Sequence, residues 1–346
     1  MFLAVSATAV SPVRTQEPAA PATTTLQQSH ALVEAHELEK ANELLARLVR
    51  DDPQNLEALL ELGQVQLAQG LDDDALKSFE AILGSKPDST PAREGEVMAA
   101  TAAALQDRKA GADDSALLYL VRARKFVPDS PELLLDFGVQ AENMRIYHDA
   151  DAALEKAHAL APDNAKILYA LAHVELDEQK MPEAEANLRA YLKVRPDDAT
   201  AHYGLGRLLR MLMRSGEAKA ELERSVQLQP RQSSSYYDLG EIALDQNEND
   251  EARRDYEKVL AAAPHHGGAL TGMGILAFRA KDYAAAEKYL QSAVFYAADY
   301  PRAHHYYALV LMRLGRQEEA KRESDTAARL NEEQTRTSRG YFLTVY

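Results

Sequence analysis

The chain has 346 residues, contains no cysteine and carries a formal net charge of −15 at pH 7. The missing thiol excludes structural disulfides, thiolate catalysis, Cys-ligated metal and a lipid anchor through cysteine. The acidic balance argues against general affinity for nucleic acid or anionic membranes, and no stretch approaches the roughly 18 consecutive apolar residues of a membrane span.

The first 21 residues differ in character from the rest of the chain. Phe2 to Val10 is short and apolar, Ala7-Thr8-Ala9 has the small-x-small form of a signal cleavage site, and Ser11 to Thr25 is rich in Pro, Ala and Thr, like a flexible linker. We read residues 1–21 as the remainder of an export signal whose start lies upstream, and expect a periplasmic or secreted location. A cytoplasmic location with a disordered tail is the alternative, since no basic stretch precedes the apolar one.

From Ala22 onward the chain is punctuated by Pro53, Pro87, Pro128, Pro162, Pro196, Pro230 and Pro264, and every interval but one is 34 residues. The exception, Pro87 to Pro128, is 41 residues, one unit with seven extra. A fixed period of this size means a stack of one small unit rather than a single globular core. After Pro162, Leu168, Leu171, Ala172 and Glu175 fall on one helical face, and Ala184, Leu188 and Tyr191 on another. Each unit is therefore predicted to be two short amphipathic helices.

Small residues recur where paired helices must approach: Gly63, Gly138, Ala172, Gly206, Gly240, Gly274 and Ala308 in the first helix, facing Ala75, Ala150, Ala184, Ala218, Ala252, Ala286 and Ala320 in the second. A larger side chain there forces the helices apart. Nine units begin near Ala22, Leu56, Thr90, Pro131, Ala165, Ala199, Ser233, Gly267 and Pro301. The first is degenerate, with Gln28 and Ser29 where the others carry Leu-Gly, and the third has Glu96 and Val97 there. The seven extra residues of the third, at 107–113, are expected in the turn before Ala116. The ninth has Ala298 in place of the proline, but Pro301 opens its first turn, where proline is favoured. The array is expected over residues 22–334, followed by a tail at 335–346 in which Tyr341 to Tyr346 covers the last helix pair.

The Leu-Gly pair, the small residue and the Leu or aromatic of the second helix, and the closing proline resemble the tetratricopeptide repeat family, bacterial type. That resemblance implies an all-α, right-handed superhelical solenoid of about nine helix-turn-helix repeats. It also implies protein binding on a concave groove lined by the first helices.

The array leaves no stretch long enough for a separate catalytic domain, so we expect no enzyme, no cofactor and no metal. His265-His266 and His304-His305 lack a further ligand at metal spacing. Gly204-Leu205-Gly206 and Gly272-Met273-Gly274 sit at repeat-dictated packing sites without the strand and third glycine of a phosphate loop. Asp72 to Asp74 and Glu318-Glu319 open helices, where negative charge suits the dipole.

On the groove positions that the resemblance implies, the first four units place Glu34, Glu57, Glu94, Glu132 and Glu142, without Lys or Arg. The last five place Lys166, Arg207, Arg210, Arg279, Arg302 and Arg313, against Asp177, Glu241 and Asp245. Tyr169, Tyr203 and Tyr237 accompany them at the repeat spacing. Tyrosine offers a flat amphipathic face, and arginine forks onto carboxylates. The expected function is a non-enzymatic scaffold binding an extended protein segment of acidic character. The alternative is a structural subunit or assembly factor of a cell-envelope or secretion complex. Neither the Lys and Asn of a carboxylate clamp nor an asparagine ladder is present on these helices, where Asn143 is the only Asn.

Overall fold

A computed structural model describes residues 22–343, with side chains described for 24–336. The expected signal remnant and linker at 1–21 lie outside the described residues. Every regular element among the described residues is an α-helix, and the chain divides into two compact bodies, at residues 1–162 and 163–346.

The N-terminal body contains four helical hairpins: α1 (Ala22–Glu34) with α2 (Leu38–Asp51), α3 (Leu56–Ala68) with α4 (Asp72–Ser85), α5 (Thr90–Lys109) with α6 (Asp113–Arg124), and α7 (Pro131–Asn143) with α8 (Tyr147–Leu160). The C-terminal body contains five: α9 (Ala165–Asp177) with α10 (Met181–Val194), α11 (Ala199–Met211) with α12 (Ser215–Leu228), α13 (Ser233–Asp245) with α14 (Asn249–Ala262), α15 (Gly267–Arg279) with α16 (Tyr283–Tyr296), and α17 (Pro301–Arg313) with α18 (Gln317–Leu343). The fold is that of an all-α repeat solenoid in each body.

Local chemistry sets the helix ends. Side chains of Asn55, Ser130, Asn164, Asp198 and His266 accept backbone N–H groups at the starts of α3, α7, α9, α11 and α15, satisfying donors that the helix itself leaves unpaired. The turn inside each hairpin passes through one left-handed residue: His36, Gly70, Gly111, Arg145, Gln179, Met213, Asn247, Lys281 and Gly315. The residue after it donates its N–H to the carbonyl five positions back, as Leu71 does to Gln66 and Lys180 to Glu175. This is the Schellman closure, and a non-glycine residue bears its left-handed φ at a cost of about 1 kcal/mol. Six of the nine turns tolerate that cost, so the pairing of helices, not the turn residue, dictates the turn.

The left-handed residues repeat the proline ladder, with 34-residue steps and one of 41 between Gly70 and Gly111. They also correct the expected insertion. The seven extra residues do not form a turn. The turn is Ala110 to Ala112, as short as the others, and α5 is instead 20 residues long where α3 has 13. Seven residues are close to two helical turns, so α5 absorbs them and keeps its buried face in phase. Counted back from that turn, Ala103 and Ala104 occupy the Leu-Gly places, and both are buried. The boundary expected at 334 is likewise crossed by α18, which continues unbroken to Leu343.

Gly63, Gly138, Gly206, Gly240 and Gly274 of the first helices each meet a specific side chain of the second helix. A Cβ on Gly138, Gly206 or Gly274 would come within 2.5 to 2.7 Å of Leu154, Leu222 or Leu290, each four residues past the facing alanine. Two repeats carry an aromatic ring at that place, and a second glycine from the next repeat then admits it. Phe79 lies between Gly63 and Gly95, and Tyr256 between Gly240 and Gly272, with would-be Cβ contacts of 2.4 to 2.8 Å. Ring and glycine are matched in size along the stack.

Candidate functional site

The C-terminal body breaks this match at one position. Leu188 holds the place of Phe79 and Tyr256, yet the following helix still presents a glycine, Gly204, and nothing lies within 4 Å of where its Cβ would be. The first helices α9 and α11 also meet less closely than α11 with α13, α13 with α15 or α15 with α17. The result is a cleft of about 370 Å³ between α9 and α11, floored by Leu188 and Met181 of α10. Tyr169, Leu176, Tyr203, Leu208 and Met211 supply its apolar walls, and Arg207, Asp177, His173 and Thr200 add polar groups to the lining. Tyr169 is held by tilted ring contacts to His173 at 4.6 Å and Tyr191 at 5.1 Å. Packing around the His173 ring desolvates it and lowers its pKa. Beyond the cleft, Met211 and Met213 are strongly exposed, at 56% and 85%.

Of the eight aromatic and basic residues expected on the groove, Tyr169, Tyr203 and Arg207 therefore come together. The others are distributed differently. Tyr237 packs across onto the next first helix, because Gly268 leaves room for its ring where Thr200 and Ser234 stand opposite Tyr169 and Tyr203. Burial, then Glu241 and Tyr300, raises the pKa of its hydroxyl. Arg210 is ion-paired at 3.0 Å with Asp238, which is 4% exposed, and burial raises that carboxyl's pKa against the pull of Arg210. Arg279 donates to the Leu244 carbonyl at 2.9 Å and to Asn249 at 3.1 Å, closing the end of α13. Arg302 pairs with the buried Glu241, whose other oxygen accepts from the Tyr256 hydroxyl at 2.7 Å. Arg313 and Lys166 are exposed, and no ion pair reaches Arg207, Arg313 or Lys166 among the described residues.

The histidine pairs have structural roles. His266 caps α15, and His265 stacks on Tyr296 at 4.0 Å. His304 bridges Glu323 at 2.6 Å and the Ala298 carbonyl at 3.0 Å, and His202 repeats this with Glu221 and the Pro196 carbonyl. Among the described residues, no group of three His, Cys, Asp or Glu is placed to hold a metal, and no helix is long and apolar enough to cross a membrane.

In the N-terminal body, Glu34, Glu57, Glu94 and Glu132 are exposed as expected and Glu142 is half-buried. Glu96 is a buried carboxyl group at a place that other repeats fill with an apolar side chain. It is wholly buried on α5 with no hydrogen-bond partner on either carboxylate oxygen, near Glu80 and Arg122. Burial and the Glu80 charge push its pKa up to about 8, although Arg122 pulls the other way.

Comparison with known proteins agrees with the architecture. The tetratricopeptide repeat family matches residues 26–90, 169–233, 213–266, 237–301 and 271–329. The chain belongs to the tetratricopeptide repeat family. The unmatched stretch, 91–168, contains the lengthened α5. Similar solved structures include pilF of Pseudomonas aeruginosa, at 19% identity over 63% of this chain and 99% of that one, with a TM-score of 0.55. The Cut9-Hcn1 hetero-tetramer of APC/C matches at 16% identity over 85% of this chain and 56% of that one, TM-score 0.53. YrrB, described as a TPR protein with an unusual peptide-binding site, matches at 20% identity over 54% and 96%, TM-score 0.48. At these identities the likeness is one of fold. The sequence has no match among the curated proteins.

Proposed function

We propose that this chain is a non-enzymatic interaction scaffold, and that the first-helix face of its C-terminal body binds an extended segment of a partner protein with acidic character. Membership of a repeat family whose members bind proteins supplies the class of function. The observation that carries the finer reading is Arg207. It is exposed, makes no ion pair with a carboxylate of its own chain among the described residues although its charge is felt at the buried Asp238, and lines the same cleft as Tyr169 and Tyr203. An arginine left unpaired in a chain of net charge −15 is a ready receptor for a carboxylate from outside. Arg210, Arg279 and Arg302 are engaged in internal contacts, so replacing them would damage packing as well as binding.

The test is a photo-crosslinking residue at Tyr203 in the native cell, with and without Arg207→Glu. The adduct is expected to disappear in the Arg207→Glu chain, with helical content by circular dichroism unchanged. An adduct of equal yield in both chains would refute the reading.

A further inference from the structure

We propose that the cleft at Leu188 and Gly204 is an anchor pocket that takes one bulky aromatic side chain of the partner, with a carboxylate next to that side chain held by Arg207. This rests on the groove reading above and gives it a specificity. At the two other places where the following repeat presents a glycine to this position of the second helix, the chain supplies its own ring, Phe79 against Gly95 and Tyr256 against Gly272. At Gly204 the chain supplies only Leu188, and the space a ring would fill stays open towards α9 and α11.

The opening suits one kind of occupant. A dry cavity of about 150 Å³ already accommodates benzene, so about 370 Å³ admits an aromatic side chain and the start of its backbone. The walls are Tyr169, Tyr203, Leu176 and Met211, which offer ring faces and adaptable thioether contact. Charge fixes the neighbour and the direction. Arg207 on α11 receives a carboxylate, while Asp177 on α9, across the cleft, disfavours one and accepts N–H groups. A basic or purely polar segment meets Asp177 but leaves the apolar space unfilled and Arg207 unpaired.

Leu188→Phe tests the pocket by setting a ring opposite Gly204, as Phe79 stands opposite Gly95 and Tyr256 opposite Gly272, although Ala172 holds the place of the second glycine that each of those rings meets. It fills the cleft from its floor. Short random peptides displayed on phage are selected on the full chain, and binders are then measured on Leu188→Phe and Arg207→Glu chains that retain wild-type circular dichroism and melting. The expected binders carry an aromatic residue beside Asp or Glu. Leu188→Phe is expected to weaken them at least about ten-fold, the worth of burying one large apolar side chain, as is replacing the peptide's aromatic residue by alanine. Acidic binders that need Arg207 but bind Leu188→Phe as well as wild type would overturn the pocket and leave the groove reading standing. Binders indifferent to both substitutions, or no binders at all, would overturn both.

Discussion

Glu96 is a carboxyl group that the N-terminal body holds in its less usual state. Its folded pKa of about 8 lies above the ordinary 4.5, so the native chain binds a proton there that the unfolded chain has released. Stability from this group is fully present below about 4.5 and is lost as pH rises through about 8. The urea midpoint of the wild-type chain should therefore fall as pH climbs across that window. In Glu96→Gln the fall should be smaller, and the variant should be the more stable of the two at the alkaline end. Equal slopes in both chains would show that Glu96 is solvated or paired. The sequence places Glu96 where a leucine stands in other repeats, which marks it as unusual. Its burial follows from that core place, whereas its lack of a hydrogen-bond partner is not legible in the proline offsets. Tyr237 makes the opposite point, because the glycine at 268 that makes room for its ring is visible at the repeat spacing as a departure from Thr200 and Ser234.

Pairs of helices translate such single positions into packing. Gly272 admits the Tyr256 ring, and a Cβ there would lie 2.4 Å from it, against a ring that Gly240 confines on the other side. Gly272→Ala should therefore cost about 1–3 kcal/mol, the range for overpacking a filled core. Gly204→Ala meets nothing within 4 Å and replaces a mid-helix glycine, so it should be neutral or stabilise by up to about 1 kcal/mol. Denaturant unfolding of the two variants tests the size match directly. Equal effects would mean that the cleft beside Gly204 closes in solution. The small residues of most hairpins are legible in the periodicity, as are the helices and their number. Which large side chain each glycine receives is not, because that partner sits a turn further along the second helix than the facing alanine. The insertion in the third repeat shows in the 41-residue interval, but its position does not, for a related reason. A helix that gains two full turns keeps its apolar face, so the interval alone does not tell a longer helix from a longer turn.

Across the chain, the 34-residue ladder appears twice, in the prolines and in the left-handed turn residues, and both skip at the same place. Architecture is accessible from the sequence because every repeat restates it, and each repeat buries its apolar faces against its neighbours. Surface chemistry is accessible only in part. The period puts Arg207, Arg279 and Arg302 on equivalent helices, but their partners lie outside the pattern: Arg302 reaches Glu241 from two repeats away, while Arg207 makes no ion pair among the described residues and only its longer-range charge is felt at Asp238. An unpaired arginine is a property of the folded neighbourhood and leaves no mark in the spacing.

The most direct test of binding on the first-helix face is amide hydrogen exchange on the full chain, alone and with the acidic segment recovered by crosslinking at Tyr203. The segment is predicted to slow exchange most in α9 and α11, with smaller changes in α12 and α14. Protection confined to the N-terminal body, or to α12 and α14 with α9 and α11 unchanged, would contradict that placement.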